Sequence, residues 1–391
     1  LGPIRCLSAI LLGLLLAACA GPTVESLRDP VPEPLVTRTS VPGYQRIRYW
    51  GDTGDGLWLE SIAEIAAQQK ASGNTSRERN FLAVSGGGSS GAFGAGVLFG
   101  WTASGERPEF SVVTGVSTGS LIAPFAFLGP PYDRYLKEAY TQVSAEDIFE
   151  KKGFFRVLRG SASLADSSPL RGLVSRYVTD QMLADIAREH KRGRRLLVGT
   201  TNLDAERPVV WDIGAIASSE VPGRRQLIQD ILIASASIPG VFPPVKIKVV
   251  ADGMTFDEMH VDGGTSNQAF MFPSNFSVRQ ADRKLDRKGV DRTLYVLRNG
   301  RVTPEFSTVK PRLASIVSKS MNSLIKTQGI GDLYRMYSNA QREGIAFRAV
   351  WIPESFTMRE PQPFDPAFMK ALFDAGYEMG RNGIPWATHP P

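Results

Sequence analysis

The sequence predicts an α/β protein built in three layers, with helices on both faces of a mostly parallel central sheet. Three observations predict it. Short apolar, β-branched runs alternate with stretches of helical periodicity, the pattern of βα units. Two of those runs stop abruptly at glycine, at Gly86 and at Gly115. No internal repeat and no sharp break follows residue 50, so residues 51–391 read as one domain.

Taken in order, Trp58, Ile62, Ile65 and Gln69 recur at helical spacing and predict a helix over 57–70. Asn80 to Ser85 is a short buried strand stopped by three glycines. The small, apolar stretch after Gly91 has no proline until Pro108 and suits a helix. Ser111 to Thr114 is a second strand, and Ser120 to Leu128 a helix. Arg195 to Thr200 and Pro208 to Trp211 read as strands paired across the turn Asn202–Arg207. Gln226 to Ser237 carries Ile228, Ile231 and Leu232 on one face and stops at Pro239-Gly240. Met259 to Asp262 and Thr293 to Arg298 are strands. Helical patterns at 310–327 and 366–380 flank a last strand at 346–352, in a region that matches no recognisable chemistry.

The balance of 45 basic against 39 acidic residues leaves a charge of +6 spread along the chain. Without a basic block there is no dedicated nucleic-acid arm, and the surplus reads as a solvated surface. No cluster of histidine and cysteine has ligand spacing, so neither a metal nor another cofactor is expected. The sequence points to no protein partner.

Both cysteines, Cys6 and Cys19, lie in the first twenty residues, so the fold stands without disulfides. Arg5, the apolar run Cys6–Ala18 and the small residues before Cys19 have the layout of a secretory signal, too short for a spanning helix. Leu16-Ala17-Ala18-Cys19 resembles a bacterial lipoprotein box. That resemblance implies removal of residues 1–18, lipid on Cys19, and a place in the cell envelope, at the outer membrane or its periplasmic face. Ala20 is compatible with outer-membrane sorting. The prolines from Pro22 to Pro42 then predict an extended tether over 19–50.

Gly115-Val116-Ser117-Thr118-Gly119 fits G-x-S-x-G. Such an elbow needs glycine on either side because strand and helix pack closely around the serine. A strand precedes it and a helix follows, which places the hydroxyl at a helix N-terminus, where developing negative charge is favoured. Gly86-Gly87-Gly88-Ser89-Ser90-Gly91 supports two chemistries. As G-x-G-x-x-G it could hold a dinucleotide pyrophosphate, with Glu106 or Glu109 as the acidic partner. As an oxyanion hole it would aim backbone N–H groups at a tetrahedral intermediate. Val261-Asp262-Gly263-Gly264 is an aspartate leaving a strand into paired glycines, which by itself is also a plain turn.

In this order, the glycine loop, the serine elbow and Asp-Gly-Gly resemble the patatin-like phospholipases. Thr200 to Asp204 with Pro208 to Val210, and Ala234 to Pro244, resemble that family's connecting blocks. The resemblance covers roughly 80–300 and implies the patatin-like three-layer α/β/α fold. It also implies a serine lipid acyl hydrolase acting on phospholipids or related esters. Carried over, Ser117 is the nucleophile and Asp262 its base. Gly86, Gly87 and Gly88 shape the oxyanion hole, while Gly91, Gly115, Gly119, Gly263 and Gly264 are motif glycines. Ser90 departs from the family, whose loop commonly has a basic residue there. Membrane lipids are then both substrate and anchoring surface. A catalytically silent lipid-binding lipoprotein is the remaining alternative.

Three histidines could challenge a dyad. His190 sits among Arg188, Lys191 and Arg192 and reads as a solvated helix end. His389, beside prolines near the last residue, reads as mobile chain. His260 shares a strand face with Asp262, a poor position for a relay between serine and aspartate, and reads as structural.

Overall fold

The computed structural model describes residues 28–54, 56–73, 76–148, 150–151, 163 and 165–391. The expected signal segment, the lipoprotein box and Cys19 lie outside the described residues. The strands are β1 (Arg48–Trp50), β2 (Glu78–Val84), β3 (Phe110–Val116), β4 (Glu150–Lys151), β5 (Ala165–Asp166) and β6 (Arg195–Asn202). They continue as β7 (Arg207–Asp212), β8 (Val245–Ala251), β9 (Met254–Asp262), β10 (Asp291–Arg298) and β11 (Ala346–Trp351). Apart from the β4–β5 ribbon they form one sheet in the order β1-β7-β6-β3-β2-β10-β11, with β9 pairing β6 and β8 pairing β9 off that path. Strands β6, β3, β2, β10 and β11 run parallel, and β7 and β1 extend one edge antiparallel. The sheet is therefore mostly parallel at its centre, as the alternation of strands and helices predicts.

The α-helices of six or more residues are α1 (Gly56–Ala71), α2 (Gly91–Ala103), α3 (Thr118–Leu128), α4 (Asp133–Thr141), α5 (Ser168–Tyr177) and α6 (Asp180–Lys191). After them come α7 (Ile213–Ser218), α8 (Arg224–Ser235), α9 (Val278–Lys284), α10 (Leu313–Glu343) and α11 (Pro366–Asn382). Successive strand side chains point to opposite faces. Leu82, Val84, Val198 and Leu297 pack with α2, α3, α8 and α11. Their alternates Phe81, Ala83, Leu294 and Val296 meet α10 through Leu333, Met336 and Ala340. Leu197 meets α1 and α9 through Trp58 and Val278. Cover on both faces is why these strands read as near-continuous apolar runs. Among the described residues no helix is long and apolar enough to cross a membrane.

Several expectations need correction. Residues 28–50 are not a free tether: Leu35, Val41, Tyr44, Ile47 and Tyr49 are buried, and β1 pairs with β7. Pro30 and Ser40 form bridges to Asp257 and Val250. Proline density reads as extended chain, but it does not say whether apolar residues between the prolines find a surface. β8 was not expected, although Val245-Lys246-Ile247-Lys248-Val249 alternates like a half-buried strand, and β9 starts five residues earlier than expected. His190 is buried, its Nδ1 3.6 Å from Asp212 and its Nε2 3.8 Å from Glu64. The charged neighbours that suggested solvent lie on the other sides of α6. The end of the chain beside His389 is docked, with Ala387 bridging to Ala349.

Candidate active site

One edge of β6 brings the two motif residues together. β3 runs parallel to β6 and covers its first half, ending with Val116 opposite Gly199. β9 runs antiparallel and covers the remainder, ending with Asp262 opposite Thr200. The C-terminal ends of β3 and β9 thus meet head to head across two adjacent residues of β6. Ser117 follows one end and Asp262 forms the other.

Ser117 has φ +55° and ψ −129°, a strained elbow from which α3 starts. The turn is tight enough that a Cβ on Gly115 would lie 2.4 Å from the Gly119 carbonyl oxygen, and one on Gly119 would lie 2.3 Å from that of Val84. These two glycines are required by backbone contact. Gly91 is closed in by Thr118, and Gly263 by the Gly199 carbonyl. The Ser117 N–H donates to Ser235 Oγ at 3.1 Å, and Ser235 donates to the Gly199 carbonyl at 2.7 Å. Two residues on, the Ser237 carbonyl accepts the Asp262 N–H at 2.9 Å. The end of α8 therefore pins both candidate residues, a function the sequence did not assign to Ser235 or Ser237. Ser235→Ala leaves the buried Ser117 amide without its acceptor and is expected to cost about 1–3 kcal/mol in transition-state stabilisation. It should appear as a lower kcat at unchanged KM, since the acyl pocket is untouched.

Asp262 is buried, 4% exposed. Its Oδ1 accepts the Gly264 N–H at 2.7 Å. Oδ2 meets no donor in hydrogen-bonding geometry among the described residues. Burial pushes the carboxyl up to about 7, and the nearby Ser117 hydroxyl and the Gly264 amide only partly oppose that rise. A carboxyl that titrates near neutrality suits proton transfer far better than one at its ordinary value of 3.8.

The glycine loop leaves β2 alongside the elbow: a Cβ on Gly86 would lie 3.1 Å from Ser117 Cβ. The Gly86 N–H already donates to the Gln268 carbonyl at 3.0 Å, so of the three loop glycines expected to shape the oxyanion hole this one has no free amide. The amides of Gly87 and Gly88 donate to no acceptor among the described residues, and Gly88 has φ +56°. Those two are the available donors. Asn299, after β10, fixes the loop from below. Its Nδ2 donates to the Ser85 carbonyl at 2.8 Å, and its Oδ1 accepts the Gly94 N–H at 3.0 Å. A Cβ on Gly87 would overlap its carbonyl oxygen at 2.1 Å. Gln268 Nε2 donates to the Gly264 carbonyl at 2.9 Å, and the Gln268 N–H donates to buried Asp332 of α10 at 2.6 Å. The C-terminal region thus holds the loop from which Gly86 hangs. Asn299 was detectable as a polar residue at a parallel strand's C-terminal end, where α/β ligands bind. Gln268 and Asp332 had no such signal.

The dinucleotide reading fails on geometry. Glu106 and Glu109 precede β3, at the opposite end of the strands from Gly86–Gly91, and Glu109 faces Arg192 at 3.4 Å. An acid that recognises a ribose must instead stand at the carboxyl end of a strand.

His260 is fully buried. Trp211 Nε1 donates to Thr200 Oγ1 at 2.8 Å, and because the Glu258 carboxylate takes the proton-bearing Nε2 of His260, the ring's Nδ1 accepts from Thr200 Oγ1 at 2.9 Å. His260 Nε2–H then faces Glu258 at 3.0 Å. Burial holds the ring below its ordinary pKa against the pull of Glu258. Every polar atom of the ring is committed, so the side chain is structural. His260→Gln should retain kcat within a few-fold and lower the melting temperature.

An apolar cleft of about 640 Å³, counted to its open mouth, begins at Thr118 and is lined by Leu121, Phe125, Leu173, Val174 and Tyr177. Its lining is apolar, as that of most small-ligand pockets is.

Residues 82–273 match the family model described as patatin-like phospholipase. That stretch contains the glycine loop, the elbow and the Asp262 turn. The crystal structure of VipD from Legionella pneumophila is similar at 12% sequence identity and a TM-score of 0.39, over 78% of this chain and 66% of that one. The chain thus spans just under two thirds of the VipD chain. No curated protein matches.

Proposed function

We propose that this chain, which carries a patatin-like phospholipase domain over residues 82–273, is a serine lipid acyl hydrolase that uses Ser117 and Asp262 as a dyad. One observation supports this reading above others: the strand end bearing a buried carboxyl, raised to about 7, abuts the strained serine elbow. The reaction follows from those groups. Ionised Asp262 takes the Oγ proton as Ser117 attacks the ester carbonyl, and the amides of Gly87 and Gly88 receive the oxyanion. Collapse breaks the C–O bond, and the leaving alcohol or lysolipid takes the proton from Asp262. Water, deprotonated by the same carboxylate, then attacks the acyl-enzyme; the fatty acid leaves and the proton returns to Ser117. The apolar cleft beside Thr118 accommodates the acyl chain, which favours lipid esters over polar ones.

A fluorophosphonate probe tests the nucleophile directly. Wild type should be labelled and Ser117→Ala should not, under conditions where both are folded. A folded wild type that resists the probe would leave a lipid-binding role without turnover. The same proposal includes an envelope position through lipid on Cys19. Metabolic incorporation of a labelled fatty acid, lost in Cys19→Ser, is the expected result there.

A further inference from the structure

We infer that the first half of α10 docks the protein onto an anionic bilayer surface. Its purpose rests on the acyl-hydrolase reading, while its test does not.

The exposed large apolar residues are concentrated here. Phe306, Val309, Leu313, Ile316, Val317, Met321 and Leu324 are all exposed, Phe306 at 83% and Leu313 at 80%. Leu313, Val317, Met321 and Leu324 follow the spacing of a single helix face, and Ile316 borders it. The second half of α10 shows what a packed face looks like: Leu333, Met336 and Ala340 are buried against the sheet. The first half has the same kind of stripe, left exposed among the described residues. An apolar face this contiguous marks an interaction site rather than ordinary surface.

Charge selects the partner. From Phe306 to Gly331 the sequence has four cations, Lys310, Arg312, Lys319 and Lys326, and no carboxylate. Lys319 donates to Ser307 Oγ at 2.7 Å and to the Glu305 carbonyl at 3.2 Å. Lys326 pairs with the Glu305 carboxylate. These two tie the loop that bears exposed Phe306 to the helix. Lys310 and Arg312 are exposed and form no ion pair among the described residues. An apolar stripe bordered by unpaired cations matches the boundary between acyl chains and anionic headgroups.

The same helix reaches the candidate site. Gln328 Nε2 donates to the Ser266 carbonyl at 2.7 Å, in the turn that follows Asp262. Leu324 stands one helical turn earlier, about 6 Å along the axis. A surface that seats Leu324 in the bilayer therefore sets the catalytic turn close to the lipid it would hydrolyse.

The experiment uses the full chain carrying Ser117→Ala, so that lipid stays intact, with a tryptophan placed at 313 (Leu313→Trp) or, as control, at 254 (Met254→Trp). Met254 is also an exposed apolar residue but lies outside the patch. Vesicles of brominated phosphatidylglycerol should quench the emission that the tryptophan at 313 adds to that of the six native tryptophans of the parent chain, and not the emission added at 254. The reading is positional, so attachment through another segment does not imitate it. In the otherwise wild-type chain, Leu313→Glu with Leu324→Glu should lower hydrolysis of vesicle lipid by at least ~10-fold. Hydrolysis of a soluble short-chain ester should not change. Equal quenching at the two positions, or none at 313, overturns the inference. So does a wild-type dimer that the double variant converts to monomer without quenching at 313, because a second copy then covers the face. Quenching at 313 in a chain whose Ser117 never reacts would keep the docking surface and remove the hydrolase reading.

Discussion

Asp262→Asn is expected to silence ester hydrolysis and, at neutral pH and above, to make the protein more stable. The loss in kcat/KM should be ~10³–10⁴-fold, because asparagine can accept the Gly264 amide but cannot take the Ser117 proton. The gain in stability has a separate cause. In the folded protein burial holds the carboxyl at about 7, far above its ordinary 3.8. Between those values the folded state binds the proton more tightly than the unfolded state, so stability falls as pH rises through that window. Asparagine removes that dependence. The difference from wild type should be small near pH 4 and reach a plateau above pH 7, on the order of 2–4 kcal/mol. Thermal unfolding of both proteins from pH 4 to 8 measures it. A variant less stable than wild type at pH 8 would mean that Asp262 is not carrying a buried charge. In the wild type, kcat/KM should climb with pH and level off above about 7, as the base loses its proton. Ser117→Ala should abolish turnover without this pH-dependent stabilisation, which separates the two members of the dyad.

Arg48→Met is expected to cost about 3–5 kcal/mol of stability. Glu258 is the reason. Its side chain is 1% exposed and is gripped by Arg48 at 2.5 and 3.1 Å, by Thr39 Oγ1 at 2.9 Å and by His260 at 3.0 Å. Burial raises its pKa, but the His260 hydrogen bond and the Arg48 charge outweigh burial and hold it to about 2. Removing the cation leaves a buried carboxylate with neutral partners only. Residues 28–50 should then become sensitive to trypsin at Arg38 and Arg46, since the Arg48–Thr39–Glu258 cluster is the buried part of that segment's polar attachment. Adding Glu258→Gln should restore part of the loss, and kcat at a permissive temperature should stay within a few-fold. An unfolding free energy within about 1 kcal/mol of wild type would show that the pair behaves as an exposed one. The depressed pKa also has a consequence in acid. Its stabilisation is complete above the ordinary 4.5 and is lost as pH falls toward 2.

These expectations separate what was legible in the sequence from what was not. The strands β2, β3, β6, β7 and β10 were legible because apolar β-branched runs ended in turn residues. The elbow was legible because only glycine tolerates the contacts at 115 and 119. A glycine loop after a strand suggests backbone donors, but it does not say which amides are spent. Gly86 loses its N–H to Gln268, a residue brought in from far along the chain. His190 read as solvated from its charged neighbours, whereas the fold turns it inward against Asp212.

The sequence by itself determined the α/β class and the serine elbow, because each is written in local residue types that constrain local backbone, whereas Asp262 was singled out only by the resemblance of the three motifs in order to a known family. Only the tertiary structure decided that Asp262 meets Ser117. That meeting depends on β3 and β9 sharing one edge of β6 from opposite directions, a pairing made by hydrogen bonds between segments far apart in the chain. Burial at that junction, rather than anything in the Asp-Gly-Gly turn, brings the carboxyl to about 7. The docking of residues 28–50 and the support of the oxyanion loop by Asp332 were decided in the same way, by which surfaces the packed sheet left to be covered.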